Sequence, residues 1–245
     1  MRMLLIAGHG QGDPGACSKE HKEAELVREI VPTLASYLKP YVDVDIIDTS
    51  LNAYKYLKSG KSFDFTKYDY VLEVHFNAFQ EEKVEDDLTK GTEILVHTSE
   101  KATSVEKLIL DNICSLGFTN RGVKTRSDLQ NMNICKGRQG VSYALIETCF
   151  IDDIDDMQLY LANKDKVILA IANGIVRGFG LSDTDIRLDK FIDISEHYAR
   201  EYINDLAEMG IIKGKGNGIF APQEPITRGD VAIISRNIIR YITGK

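Results

Sequence analysis

The chain has 245 residues, 43% of them hydrophobic, and a formal net charge of −7. That length admits one large domain or two unequal ones, and the apolar content is enough for an ordinary core. The acidic balance argues against a nucleic-acid binder held by bulk electrostatics, and no apolar run is long enough to span a membrane.

Charge is unevenly spread. Residues 187–245 carry nine basic and eight acidic side chains, so nearly all the excess acid precedes them. The four cysteines (Cys17, Cys114, Cys135, Cys149) form no Cys-x-x-Cys pair, which speaks against a zinc knuckle or a disulfide scaffold. They read as reduced, mostly buried thiols.

The opening Met-Arg-Met-Leu-Leu-Ile-Ala is too short for a signal peptide and runs straight into His9-Gly10. The expectation is synthesis in the cytoplasm without a signal peptide, and release by another agent if the protein acts outside. Met3–Ala7 reads as the first core strand. Residues 23–38 have helical periodicity, Val42–Ile47 alternates, and 51–58 is a weak helix. Strands are expected over 70–75 and 92–97, with an amphipathic helix over 104–116 ended by Gly117. Residues 144–150 form an apolar strand and 164–179 a long helix. Strands alternating with helices indicate an α/β fold, a mostly parallel twisted sheet flanked by helices. Gly178-Phe179-Gly180-Leu181-Ser182-Asp183 looks like a helix stop entering a polar linker. The residues beyond it suggest a small all-α C-terminal module, two helices around a Gly-rich turn. The expected division is 1–178, a linker at 179–187, and 188–245.

Four residues stand out chemically: His9, Glu23, His75 and Glu147. At 100° per residue, Leu26, Val27, Ile30, Leu34 and Leu38 share one helix face, and Glu23 projects to its middle while Glu25 and Glu29 point away. A carboxylate there needs compensation, either by a cation or by the helix dipole with partial solvation. His9 follows an apolar strand between two glycines, and His75 ends another strand; each alone also suits a turn or a packing role. Glu147 sits among Leu145, Ile146, Cys149 and Phe150. A carboxylate in that setting must be paired, metal-associated, or shifted up in pKa, which suits a general acid or base. Glu73 shares strand parity with His75, as a carboxylate orienting the imidazole or as a plain ion pair. His21, His97 and His197 lack comparable settings. Two histidines and a carboxylate are a donor set for catalytic zinc, with a fourth position left for water.

Over roughly residues 1–178 the sequence resembles the zinc-dependent N-acetylmuramoyl-L-alanine amidases of the type-3 family, found in phage endolysins and bacterial autolysins. The likeness rests on Ala7-Gly8-His9-Gly10, Asp13-Pro14-Gly15-Ala16, Glu23 opening a helix, His75-Phe76-Asn77-Ala78, Gly91-Thr92-Glu93-Ile94 and Leu145-Ile146-Glu147-Thr148-Cys149-Phe150. It departs from the family in placing Asp13-Pro14-Gly15 after the first histidine rather than before it. The resemblance implies Zn2+ held by His9, Glu23 and His75, with Glu147 catalytic. It implies peptidoglycan as substrate, cut at the amide between N-acetylmuramic acid and L-alanine, most simply by an endolysin acting on Gram-positive walls. A host sporulation or autolysis amidase, a zinc peptidase cutting within the stem peptide, and a non-catalytic wall-binding protein are the alternatives.

Residues 191–243 resemble one S-layer homology repeat, on Phe191-Ile192-Asp193-Ile194, His197-Tyr198-Ala199, Gly210-Ile211-Ile212-Lys213-Gly214, Gly218-Ile219-Phe220-Ala221-Pro222 and Ile226-Thr227-Arg228-Gly229-Asp230. Tyr198 stands where the family has tryptophan, and Gly229-Asp230 where it has Ala-Glu. Such modules bind anionic secondary wall polysaccharides, which implies contacts from Arg228 and Tyr198. Ile203, Leu206 and Ile211 are expected to pack on a stripe of Val231, Ile234 and Ile238. Family members usually carry three copies, so the single copy implies packing on the catalytic domain or a homo-oligomer formed through this module.

Overall fold

The computed structural model describes residues 1–79, 88–194 and 197–244. Ser195, Glu196 and Lys245, inside the stretch expected as the C-terminal module, lie outside the described residues. The chain falls into two compact units, Met1–Ile186 and Arg187–Lys245.

The first unit is built on a six-stranded sheet: β1 (Arg2–Ala7), β2 (Asp43–Ile46), β3 (Tyr70–Asn77), β4 (Thr92–His97), β5 (Asn120–Arg126) and β6 (Ser142–Phe150), ordered β2-β1-β3-β6-β4-β5. The first four strands of that order are mutually parallel; β4 runs antiparallel to β6 and parallel to β5. The helices are α1 (Glu23–Leu38), α2 (Ala53–Lys58), α3 (Ser104–Cys114), α4 (Gln130–Met132, continued by a π-helical stretch at Asn133–Arg138) and α5 (Ile154–Gly178). The expected α/β architecture is therefore present.

Central strands are apolar on both faces because both faces are covered. Met3, Leu5, Leu72, Val74, Ile94 and Ile146 join the apolar stripes of α1, α3 and α5 in one core. Leu4, Ile6, Val71, Leu95, Tyr143 and Leu145 join Leu57, Met132 and Cys135 in a second core on the opposite face. Helix α5 crosses α3 closely: a Cβ at Gly174 would lie 2.6 Å from the Ile109 Cα, so only glycine fits.

Helix α4 with its π-helical continuation was not expected, and two further elements differ from expectation. Helix α5 begins at Ile154 rather than 164, capped by the Asp153 side chain accepting from the Asp156 N–H, and it kinks at Asn163 (φ −130°, ψ 20°). Met157 and Tyr160 before the kink are buried in the same core as Val167, Ile168 and Ile171 after it. Strand β5 was not expected at all; it is a polar edge strand with no fully buried residue to impose alternation. Residues 179–186 lie against the first unit: Ile186 is 6% exposed within its core, and its N–H donates to the Asn173 Oδ1 at 2.6 Å.

The second unit contains α6 (Arg200–Glu208) and α7 (Arg228–Thr243). Asp193 accepts backbone N–H bonds from Phe220 and Ala221, and Asp189 accepts from Arg200 and Asn204. These bonds gather loops over a small core of Ile194, Ile203 and Ile211. Helix α7 is well started, by a reciprocal capping box between Thr227 and Asp230. The expected cover by its apolar stripe is only partly formed: Ile234 is half-buried and the Asn237 Nδ2 donates to the Ile211 carbonyl at 2.9 Å, while Val231 and Ile238 remain 48% and 38% exposed. One two-helix repeat has too little surface to enclose both faces of a long helix.

Candidate metal centre

The site lies where the parallel strands β1, β3 and β6 reach their C-terminal ends, the edge at which α/β sheets usually place chemistry. His9 follows β1 in a left-handed conformation (φ +60°) that a non-glycine residue adopts only under constraint. The constraint is visible. Its Nε2 lies 2.9 Å from the Glu23 Oε2, its Nδ1 3.2 Å from the Asp13 Oδ1, and its carbonyl accepts from the Arg28 guanidinium at 2.8 Å. Gly8 makes room for the partner ring: a Cβ there would sit 2.4 Å from the His75 imidazole.

Glu23 opens α1 on its buried face and is 2% exposed. Its Oε1 meets the His75 Nδ1 at 2.8 Å and accepts the Phe76 N–H at 2.9 Å; its Oε2 accepts the Ala16 N–H at 2.9 Å. The far nitrogen of His75, Nε2, lies 3.2 Å from the Glu73 Oε1. Glu73 is held in turn by Asn131 at 3.1 and 3.2 Å and by the Tyr143 hydroxyl. Each histidine thus faces Glu23 with one nitrogen and a second carboxylate with the other. Carboxylates on the outer nitrogens fix tautomer and ring orientation when the inner ones ligate a metal.

Donor atoms from His9, Glu23 and His75 all fall within 4.8 Å of one another, the one such group among the described residues. Burial would raise the Glu23 pKa, but hydrogen bonds from His75 and His9 outweigh it and hold the carboxyl well below the usual range. Burial works against charge on both imidazoles, yet Glu23 with Glu73 raises His75 well above its ordinary value, and Glu23 raises His9. His9, Glu23 and His75 together could hold one metal ion, and their N, N, O donor set fits zinc.

Glu147 occupies the position directly beside His75 in the β3–β6 ladder and beside Glu93 in the β4–β6 ladder. Its Oε2 is buried with no hydrogen-bond partner. Burial pushes its pKa up to about 7, opposed by His75 and reinforced by Glu23 and Glu93. Glu93 is ionised by its neighbours: burial is outweighed by Lys124 and by Arg121, whose Nε lies 2.7 Å away, so its pKa is lowered.

All four residues singled out in the sequence therefore gather at one edge of the sheet. His21, His97 and His197 stay outside the cluster. Cys149 is buried and Cys17 exposed, and all four thiols are free. Asp13, Asn131 and Tyr143 were not assigned roles from sequence. Glu93 was not either, although it carries the same signal as Glu147, a carboxylate within an apolar strand. In the second unit Tyr198 is 90% exposed with its ring 4.5 Å from His197, and Arg228 is exposed in the first turn of α7.

A doubly covered, mostly parallel sheet carries at its C-terminal edge a buried acid and a His-Glu-His cluster with the donor set for one metal ion. Residues 3–177 match the family model described as N-acetylmuramoyl-L-alanine amidase, and the chain belongs to that family. Residues 190–232 match the S-layer homology domain. The chain is 28% identical over 191 residues to the probable autolysin PH of Staphylococcus aureus (strain NCTC 8325 / PS 47), covering 71% of this chain and 38% of that protein. It is 41% identical over 61 residues to the cell surface glycoprotein 1 of Acetivibrio thermocellus, covering 24% of this chain and 3% of that one. Among solved structures it resembles the catalytic domain of the CD27L endolysin targeting Clostridia difficile. That likeness has 25% identity, a TM-score of 0.55 and coverage of 76% and 99% of the two chains. The chain thus spans well under half the length of the curated relatives it matches.

Proposed function

We propose that the protein hydrolyses the amide between N-acetylmuramic acid and L-alanine in peptidoglycan, with His9, Glu23 and His75 as zinc ligands and Glu147 as the proton carrier. The observation that carries this reading is the convergence of the three donors beside a buried carboxyl with an unpartnered oxygen. Family membership supports the bond cleaved.

Zinc held there would supply Lewis acidity, making hydroxide available near neutral pH and stabilising negative charge on the amide oxygen. The protein's own side chains do the rest. Asp13 and Glu73 hold the outer nitrogens of His9 and His75, keeping the inner ones turned toward Glu23. Glu147, with a pKa near 7, takes the proton from the attacking water as its oxygen bonds to the carbonyl carbon. As the C–N bond breaks, Glu147 returns that proton to the alanine nitrogen. An amide needs this, because an unprotonated nitrogen anion leaves very poorly.

The second unit is proposed to hold the enzyme on Gram-positive walls through an anionic secondary polysaccharide, with Arg228 and Tyr198 in contact. Their exposure supports this. The exposed stripe of α7 supports self-association of this unit, which would also make wall binding multivalent. A monomer mass by light scattering at every concentration would remove self-association. The likeness to an endolysin catalytic domain supports a lysin role; the likeness to an autolysin supports a host enzyme as a second reading.

Digestion of several purified Gram-positive walls, with and without a chelator, tests the function. New alanine N-termini and free lactyl groups in the mass-identified products are expected, with loss of both under chelation. Cleavage within the stem peptide would point to a peptidase instead.

A further inference from the structure

A cleft of about 410 Å³ opens from the metal centre between α2 and α4, within the roughly 300–1,000 Å³ typical of small-molecule sites. His9 and His75 form part of its wall, so whatever fills it lies against the reacting bond. Its floor is Leu145 and Tyr143, and Asn52, Tyr54, Gln130 and Asn131 line its sides. We propose that this cleft receives the muramyl sugar, so that the substrate lies with its carbohydrate between α2 and α4 and its peptide directed toward β4 and β5. The proposal rests on the amidase reading and adds an orientation to it.

Three observations carry it. The first is charge. None of the described residues lining the cleft is lysine or arginine; Lys58 meets only its edge, where its Nζ donates to the Tyr54 hydroxyl at 2.9 Å. Its own carboxylates are already engaged: Asp13 with His9, the Gly15 N–H and Asn52; Glu73 with His75, Asn131 and Tyr143; Asp128 with the Arg126 fork at 2.7 and 2.6 Å. Little unmet negative charge is left to draw a cation. A neutral group rich in hydroxyls fits such a lining.

The second is an open valence. Asn131 is 6% exposed and spends its amide N–H groups on Glu73, while its Oδ1 has no hydrogen-bond donor. A buried acceptor left this way is costly, and because this oxygen is closed to solvent a ligand hydroxyl reaches it only when the Asn131 side chain turns toward the cleft. Tyr54, 45% exposed, adds an aromatic side chain to the cleft, with the Lys58 Nζ 5.0 Å from its ring centroid.

The third is the side from which the proton comes. The cleft is lined from β1, β3 and β6 and by no residue of β4 or β5. Glu147 lies on the other side of His75, toward β4, with Glu93 next to it and the cations Arg121 and Lys124 on Glu93. The alanine nitrogen must face Glu147 to be protonated. The peptide then runs toward the two cations, and the acyl half, with its sugar, is left on the cleft side.

The test compares a soluble muramyl tripeptide with the same tripeptide carrying only the lactyl group, using the zinc-loaded 245-residue chain. Wild type should favour the muramyl substrate in kcat/KM. Tyr54→Ala and Gln130→Ala should each cut that ratio by about tenfold, the scale of losing contacts in one pocket. Free N-acetylmuramic acid should compete with the muramyl substrate and compete several-fold less well in either variant. An unchanged ratio in both variants, or no preference in wild type, overturns the orientation. Release of no alanine N-terminus from either substrate by wild type overturns the amidase reading beneath it instead.

Discussion

The buried carboxyl of Glu147 ties activity to stability, and Glu147→Gln separates the two. Its pKa moves from the ordinary 4.5 to about 7 because burial disfavours the ionised form. Below pH 4.5 the group is neutral in folded and unfolded chains alike, and it costs nothing. As pH rises from 4.5 toward 7 the unfolded chain releases this proton and the folded one keeps it, so stability falls. Above 7 the full penalty stands, about 3 kcal/mol at most for that shift. Between pH 5 and pH 8 the penalty grows by roughly 2–3 kcal/mol. Glutamine cannot ionise and lacks this dependence. Urea unfolding of chelator-treated wild type and Glu147→Gln at the two pH values measures it. The constant packing cost of the substitution cancels when the same pair is compared across pH. The variant should gain roughly 2–3 kcal/mol on wild type from pH 5 to pH 8. In zinc-loaded protein it should lose about 10²–10⁴-fold in wall hydrolysis. Parallel stability curves would refute the burial argument, and wall lysis at the wild-type rate would refute the catalytic one.

Glu23→Gln removes the carboxylate shared by both imidazoles, and zinc content after dialysis should fall well below one per chain. Gly8→Ala drives a methyl into the His75 ring, so zinc loading should drop while far-ultraviolet circular dichroism keeps its wild-type form. Glu73→Gln should weaken zinc affinity by about 10–100-fold in chelator competition; equal affinity would mean that Glu73 does not orient His75. Thr227→Ala removes the cap of α7 and should cost about 1 kcal/mol, read as faster amide exchange confined to the first turn of that helix.

Much of the first unit is legible in the sequence because its elements carry strong local patterns. Helix α1 runs over the expected residues 23–38, since a 3.6-residue apolar period permits one buried face and puts Glu23 on it. Strands β1, β3 and β6 are apolar runs because helices cover both sides of the sheet. Where a residue sees water, the pattern fades. Strand β5 has no buried row, and the first half of α5 buries only Asp156, Met157 and Tyr160. The stripe of α7 is a true amphipathic pattern only partly covered in its own unit; periodicity reports a face, not its partner.

The amino-acid order by itself determined which side chains are anomalous: a carboxylate on an apolar helix face, another within an apolar strand, two histidines at strand ends. Their meeting is a tertiary fact. Residues 75 and 147 touch because β6 inserts between β3 and β4, a strand order that local stereochemistry does not specify. The roles of Asp13, Asn131 and Tyr143 follow in the same way. Hydrogen bonds need correct distance and direction in three dimensions, whereas periodicity needs only the repeat of one element.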